Sequence, residues 1–236
     1  MKITLKIQRY NSEAPGEPYF QEFTLEANPE DRLLDALMYV KTNMDSSLGL
    51  RKSCAHGVCG SDAMIINGVE RLACKTLVRD VADDTNSVIT VEPLKCMPVQ
   101  RDLMVDQGKF FTAYRAVKPF LINEEPAGGK ERAQSPEERA RYDDATNCIL
   151  CAACYSSCPV VRGINPDFIG PAAVVNAARF VFDSRDRGLD RRLDVLDHAN
   201  GVWPCENHFN CTRVCPRSIK VTKNINAMKR KIRPGG

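Results

Sequence analysis

Residues 148–159 read CILCAACYSSCP, four cysteines in the spacing C-x2-C-x2-C-x3-C with a proline directly behind them. This is the ligand run of a bacterial-type iron–sulfur site. Iron takes thiolate sulfur, and a cubane needs several thiolates converging from one tight loop. The fourth cysteine of such a run normally reaches the other cluster of a two-cluster domain, so a partner run is expected. Residues 205–216, CENHFNCTRVCP, supply it with Cys205, Cys211, Cys215 and Pro216. Where the full run has its second cysteine stands His208, so the set is one ligand short. The crossed pattern assigns Cys148, Cys151, Cys154 and Cys215 to a [4Fe–4S] cluster. It leaves Cys158, Cys205 and Cys211 for a second cluster, which three ligands suit as [3Fe–4S].

Towards the N-terminus, residues 51–62 read RKSCAHGVCGSD, and Cys74 follows further on. Plant-type [2Fe–2S] sites read C-x4-C-x2-C…C. Cys54 and Cys59 hold the x4 spacing and Cys74 supplies the distant ligand, but the x2 position is Asp62. A carboxylate is a harder ligand than thiolate yet binds ferric iron, which makes Asp62 the expected fourth ligand. The competing reading is a surface aspartate beside a damaged or absent site. Gly57 and Gly60 suit such a loop, because glycine permits φ > 0 and lets backbone N–H groups point at cluster sulfides. Arg51 and Lys52 either offset the cluster's negative charge or simply face water. His56 is either a donor near the cluster or a plain loop histidine.

Around these loops the chain falls into two parts. Residues 2–9 (KITLKIQR) alternate, with Ile3, Leu5 and Ile7 on one face, and YFQEFTLEA alternates in the same way, which predicts a hairpin. Asp31 to Asn43 carries Leu33, Leu34, Leu37 and Val40 near helical spacing, with Asp31 as N-cap. SVITVEP is a further strand. Strand, strand, helix, cysteine loop, strand is the order of a small β-grasp domain. Cys96 lies in a proline-punctuated connector outside every ligand spacing and reads as a semi-buried free thiol. From Asp102 the patterning turns helical, with Leu103, Val105, Phe110, Phe111 and Tyr114 apolar. Residues 123–135 read as a polar loop. Ser135, Pro136 and Glu138 then form a capping box for a helix leading into Cys148. GPAAVVNAARFVFDSRDRG and RRLDVLDH are spaced as core helices. VTKNINAMKRKI is a basic helix whose charged face meets either water or anionic head groups. The expected fold is α+β: an N-terminal β-grasp plant-type ferredoxin domain (1–97), then an all-α bacterial-type two-cluster ferredoxin domain (98–236).

A length of 236 residues allows two small domains. A net charge of +3 with 27% charged residues is too balanced to argue for nucleic acid. Eleven cysteines, an odd count in tight CxxC units behind an N-terminus unlike a signal peptide, argue for metal in a reducing compartment rather than secreted disulfides. No apolar run approaches a membrane span, so any membrane attachment must come from another chain. No GxGxxG follows a strand, which places any flavin elsewhere.

Taken together, CAHGVCGSD with Cys74, PVQRDLMVD, CILCAACYSSCP, NPDFIGPA with RFVFDSRD, and CENHFNCTRVCP resemble the iron–sulfur subunit of the succinate dehydrogenase/fumarate reductase family. The resemblance covers nearly the whole chain, and some family members carry the aspartate found here as Asp62. It implies the non-flavin, electron-transfer subunit of a succinate:quinone oxidoreductase (respiratory complex II), acting only within the complex and contributing no catalytic residue. Electrons would pass from FAD in a flavoprotein subunit through [2Fe–2S], [4Fe–4S] and [3Fe–4S] to quinone at membrane anchor subunits. FAD and quinone, and any haem, would belong to or be shared with those partners. The resemblance also implies a peripheral place at the cytoplasmic face of the inner (plasma) membrane. The family's quinone site maps to Pro159, the VVRGINP segment and His208. Ile164 stands where a tryptophan commonly precedes the NP, and Trp203, before Cys205, is the chain's only tryptophan, so the pocket departs from the family pattern. His208 has three readings: a hydrogen-bond or proton donor at quinone, a space-filling side chain, or an iron ligand. The same architecture run in reverse is fumarate reductase. A soluble iron–sulfur oxidoreductase subunit, a free two-domain ferredoxin and a zinc module are the competing readings. Zinc is the weakest, because CxxCxxCxxxCP does not divide into tetrahedral pairs.

Overall fold

The computed structural model describes residues 1–83, 87–129 and 131–233. Lys130 of the expected polar loop and the last three residues of the expected helical domain lie outside the described residues. The strands are β1 (Lys2–Arg9), β2 (Tyr19–Glu26), β3 (Ala63–Ile66), β4 (Val69–Leu72), β5 (Val88–Glu92), β6 (Val99–Arg101) and β7 (Met104–Val105). The α-helices are α1 (Leu33–Tyr39), α2 (Gly108–Ala116), α3 (Pro136–Ala140), α4 (Asp143–Thr146), α5 (Ala153–Ser156), α6 (Pro171–Val181), α7 (Asp190–Leu196), α8 (Asn210–Arg213) and α9 (Val221–Ile232). Two compact units result, Met1–Gln107 with Ile149–Ser157, and Gly108–Cys148 with Cys158–Gly236.

The first unit is built on a mixed sheet in the order β2-β1-β5-β3-β4. β1 pairs antiparallel with β2 and parallel with β5, the β-grasp arrangement. Its alternation buries Ile3, Leu5 and Ile7, which form the core with Ile89, Val91, Leu33, Leu34 and Leu37. The β3–β4 hairpin was not among the expected elements. Its turn is Asn67-Gly68, both at positive φ (48° and 77°), a pairing that matches the twist of the flanking strands. The hairpin matters for the site: Ala63 pairs with Leu72, so Asp62 and Cys74 are carried to the same end. The Ala73 N–H accordingly donates to the Asp62 carbonyl at 3.2 Å.

Two expectations are corrected in this unit. Asp31 does not cap α1; its carboxylate accepts the Asn28 N–H at 2.9 Å, and the helix begins after Arg32. The first helical N–H, that of Leu33, goes instead to the Thr76 carbonyl at 2.9 Å, so tertiary pairing does the work of a cap. Helical structure also does not start at Asp102. Leu103 and Val105 are buried, but around the β6–β7 turn, and α2 starts only at Gly108. Asp102 is a buried anchor: it accepts from Arg9 Nε at 3.0 Å and from the Gly49 N–H at 2.6 Å, just ahead of the cysteine loop. Segment 149–157 is tied into the same unit by Ser156, whose hydroxyl donates to buried Glu70 and accepts the Lys95 N–H, each at 2.9 Å.

The described residues of the second unit are all helical or irregular. The Ser135 capping box forms, with Ser135 Oγ accepting the Glu138 N–H at 3.2 Å and Glu138 accepting the Ser135 N–H at 2.9 Å. The helix expected through residue 145 breaks at Tyr142, which leaves helical geometry (φ −128°) and buries its ring, its hydroxyl donating to Gln134 at 2.6 Å. α6 and α9 contribute to the core through Val174, Val175, Ala178, Ile225 and Met228.

Arg192 on α7 is wholly buried and fully used. It donates to the Val117 and Phe120 carbonyls at 3.1 and 2.8 Å and to both oxygens of buried Asp186 at 2.8 and 3.1 Å. Removing one member of such a pair strands the other without water. Arg192→Met should therefore cost about 3–5 kcal/mol. The measurement is hydrogen exchange of the α6 and α7 amides, which should lose protection together.

Candidate metal centres

The loop between α1 and β3 carries Cys54, Cys59 and Asp62, and Cys74 follows β4. Cys54 receives the His56 N–H at 3.3 Å, and this bond, with those from the Val58 N–H and the Cys59 side chain, draws its thiol down to about 6. A thiol so poised is largely thiolate at neutral pH, the form that binds metal. Gly57 and Gly60 have φ of +74° and +67°, which meets the backbone expectation at both positions. Cys59 Sγ lies 3.1 Å from Ser61 Oγ. Cys74 is wholly buried, and that burial, with the hydrogen bond to and charge of Asp62, pushes its thiol up to about 12.

Asp62 is the informative residue. It is only 2% exposed. Its Oδ2 accepts the Cys74 N–H at 2.5 Å, whereas Oδ1 is buried with no hydrogen-bond partner. A buried carboxylate oxygen left without a partner is costly. A ferric ion at Oδ1 would satisfy it and would also take up the charge that opposes ionisation of Cys74. The surface-aspartate reading does not fit this burial. His56 is exposed, and Arg51 donates to Gln100 at 3.3 Å.

The two downstream runs share one backbone conformation. In the first, Leu150 (φ 56°) and Ala152 (φ 64°) are left-handed, and Cys154 is the second residue of the one-turn helix α5. In the second, Asn207 (φ 61°) and Phe209 (φ 62°) are left-handed, and Cys211 is the second residue of α8. Left-handed residues in alternation turn successive N–H groups to one side, a concavity suited to anionic sulfide. His208 occupies in this repeat the place that Cys151 occupies in the first. Its ring is not buried: Nε2 lies 3.0 Å from Glu206 Oε2, with 41% of the side chain exposed.

Within the second unit, Cys211 is buried, and burial raises its thiol, as do the charges of Cys205 and Cys158 close by. Cys215 is raised in the same way, by burial first and then by Cys148 and Asp144. Cys151 and Cys154 belong to the segment that groups with the first unit. Around the Cys205 end, Lys229 Nζ donates to the Cys205 carbonyl at 2.7 Å, and Trp203 Nε1 donates to Asp197 at 2.8 Å beneath the Arg233 guanidinium. Ile164 ends a widened helical turn after Pro159 and is 57% exposed. Contacts to cysteine sulfur that the sequence alone did not single out include Ser61, Asn176 (Nδ2 to Cys148 Sγ, 3.4 Å) and Thr222 (Oγ1 to Cys211 Sγ, 3.5 Å). Asn176 and Thr222 lie outside every ligand spacing, so no local pattern marks them, whereas Ser61 sits between Cys59 and Asp62.

Among the described residues no three His, Cys, Asp or Glu side chains are spaced to hold a single metal ion. The fit to iron–sulfur clusters rests on donor chemistry: thiols shifted by one another's charge, N–H groups aimed at sulfur, and the orphaned Asp62 oxygen. No described helix is long and apolar enough to cross a membrane. Cys96 has φ +66° and is half-buried.

Comparison with known proteins places iron–sulfur domains over these cysteine runs. A family model described as a 2Fe-2S iron-sulfur cluster binding domain matches residues 4–112, and one described as a 4Fe-4S dicluster domain matches residues 144–219. The chain is 44% identical to the succinate dehydrogenase iron-sulfur subunit of Coxiella burnetii, covering 98% of this chain and 95% of that one. It is 37% identical to the fumarate reductase iron-sulfur subunit of Mycobacterium tuberculosis, covering 100% and 98%. Among solved structures it resembles a chain of the Mycobacterium smegmatis Sdh1 complex in the apo form, with a TM-score of 0.86 at 28% identity over 98% of this chain and 95% of that one.

Proposed function

The chain belongs to the family of succinate dehydrogenase/fumarate reductase iron–sulfur subunits, and on that footing we propose that it carries electrons from succinate to quinone. In this reading an FAD-containing flavoprotein subunit delivers the electrons. Anchor subunits hold the complex at the cytoplasmic face of the inner membrane. When bound, the clusters supply one-electron chemistry. The chain's own residues hold them, exclude water and set their potentials. Cys54, Cys59, Asp62 and Cys74 hold [2Fe–2S]; Cys148, Cys151, Cys154 and Cys215 hold [4Fe–4S]; Cys158, Cys205 and Cys211 hold [3Fe–4S]. Pro159, Ile164, Trp203 and His208 border the quinone.

The observation that carries this reading is the repeated backbone of the two downstream runs, with His208 standing in the place of Cys151. Its half-exposed ring, held by Glu206, supports a role outside the iron shell. The test is low-temperature EPR of the oxidised complex. An oxidised three-iron cluster gives a spin-half signal that disappears on mild reduction. No such signal, with iron and sulfide enough for two cubanes, would overturn the three-thiolate assignment. Succinate-driven quinone reduction faster than quinol-driven fumarate reduction supports the direction proposed here. The opposite ratio would make the chain part of a fumarate reductase.

A further inference from the structure

We propose that a buried hydroxyl relay from Thr212 through Thr222 to the Cys211 sulfur raises the reduction potential of the cluster held by Cys158, Cys205 and Cys211. The proposal rests on the three-thiolate reading above. Thr222 is the second residue of α9 and only 1% exposed, and Cys211 lies on α8. Thr222 Oγ1 stands 3.5 Å from Cys211 Sγ and 3.0 Å from Thr212 Oγ1. Thr212 Oγ1 also accepts the Thr222 N–H at 3.0 Å, which fixes the two hydroxyls against each other.

Metal ligation sets the direction of this chain of bonds. A cysteine that binds iron has lost its proton, so its sulfur can only accept. The Thr222 hydroxyl then donates to it, and the Thr222 oxygen accepts from Thr212, whose own hydroxyl also lies within hydrogen-bond reach of the Cys211 sulfur. A hydrogen bond to ligand sulfur stabilises the more negative, reduced cluster more than the oxidised one, so the potential rises. Burial keeps water from replacing the donor, and the second hydroxyl polarises the first. Ser61 at Cys59 is more open to solvent, and the Asn176 amide is shared with the Ala172 carbonyl, so neither offers as dedicated a donor. A higher potential at the last cluster draws electrons out of the preceding ones, in keeping with flow towards quinone.

The test is an EPR-monitored redox titration of the intact complex carrying Thr222→Val or Thr222→Ser. Valine keeps the shape and removes the donor; serine keeps the donor. At the parent midpoint, Thr222→Val should raise the oxidised-to-reduced ratio roughly three- to tenfold, a fall of about 30–60 mV by the one-electron factor of about 59 mV per tenfold. Thr222→Ser should stay within about twofold of the parent ratio. An unchanged midpoint in a fully loaded Thr222→Val complex would overturn the relay. If that variant does not load, Thr212→Val decides: a smaller fall supports the relay, and none overturns it. Absence of the three-iron signal in the parent complex is a different result, because it overturns the underlying ligand reading, whereas failure of the relay leaves the signal intact.

Discussion

Asp62→Ala should yield a subunit that folds but does not retain its [2Fe–2S] cluster, with quinone reduction by the assembled complex at background. Even the outer partners of metal ligands are worth roughly 10–100-fold, so loss of a ligand should cost on the order of 100-fold or more in activity. The cluster-free fold should be affected little. Alanine removes the bond to the Cys74 N–H, but it also removes a buried oxygen that has no partner. These contributions oppose each other. Asp62→Cys should keep the cluster as a four-thiolate site, since thiolate is the softer ligand that iron–sulfur centres ordinarily use. Iron and acid-labile sulfide content, with the EPR signal of the reduced [2Fe–2S] centre, reads both variants. A purely structural Asp62 gives the reverse pattern: a destabilised cluster-free fold, and an alanine variant that still loads. That outcome would sink the ligand assignment.

What the sequence disclosed was whatever is local along the chain. Cluster ligands follow fixed spacings because one short loop must wrap one cluster, so the 2Fe-2S and 4Fe-4S dicluster domains were legible from their cysteine runs. β1, β2 and the Ser135 capping box were legible for the same reason: alternation and capping act within a few residues. The Asn67-Gly68 turn was an equally local signal, and the β3–β4 hairpin was open to the same reasoning. The misplaced features depend on distant partners. Asp31 looks like a cap until Asn28 claims its carboxylate and Thr76 claims the Leu33 N–H. Leu103 and Val105 fit a helical stripe as readily as the β6–β7 turn. Arg192 sits in a segment that reads as an ordinary core helix, and nothing in its spacing announces a buried guanidinium held by the Val117 and Phe120 carbonyls. Thr222 meets Cys211 only because α9 returns alongside α8, so the contact belongs to tertiary structure alone.

Gly60→Ala should be the most damaging glycine substitution in the first unit. A Cβ there would lie 2.6 Å from the Cβ and 2.9 Å from the Cα of Cys151, and 3.1 Å from the Ile149 carbonyl oxygen. Two penalties combine. A left-handed alanine costs about 1–2 kcal/mol. Overpacking adds about 1–3 kcal/mol, and here the obstacle is backbone that cannot swing aside like a flexible side chain. The expected loss is therefore about 2–5 kcal/mol. Gly60 lies between Cys59 and Asp62, and Cys151 is the proposed [4Fe–4S] ligand, so relief of the overlap must move one ligand loop away from the other. On mixing with succinate, reduced [2Fe–2S] should accumulate in the variant while the three-iron signal persists. Gly68→Ala is the matched control: its φ is +77°, but a Cβ there meets no atom within 4 Å. It bears the backbone penalty alone, about 1–2 kcal/mol, and should leave electron flow at the parent rate. Should Gly60→Ala prove no worse than Gly68→Ala in both readouts, the close approach of these loops would be incidental. A clear separation would mean that the chain uses a missing side chain to bring its first two redox sites together.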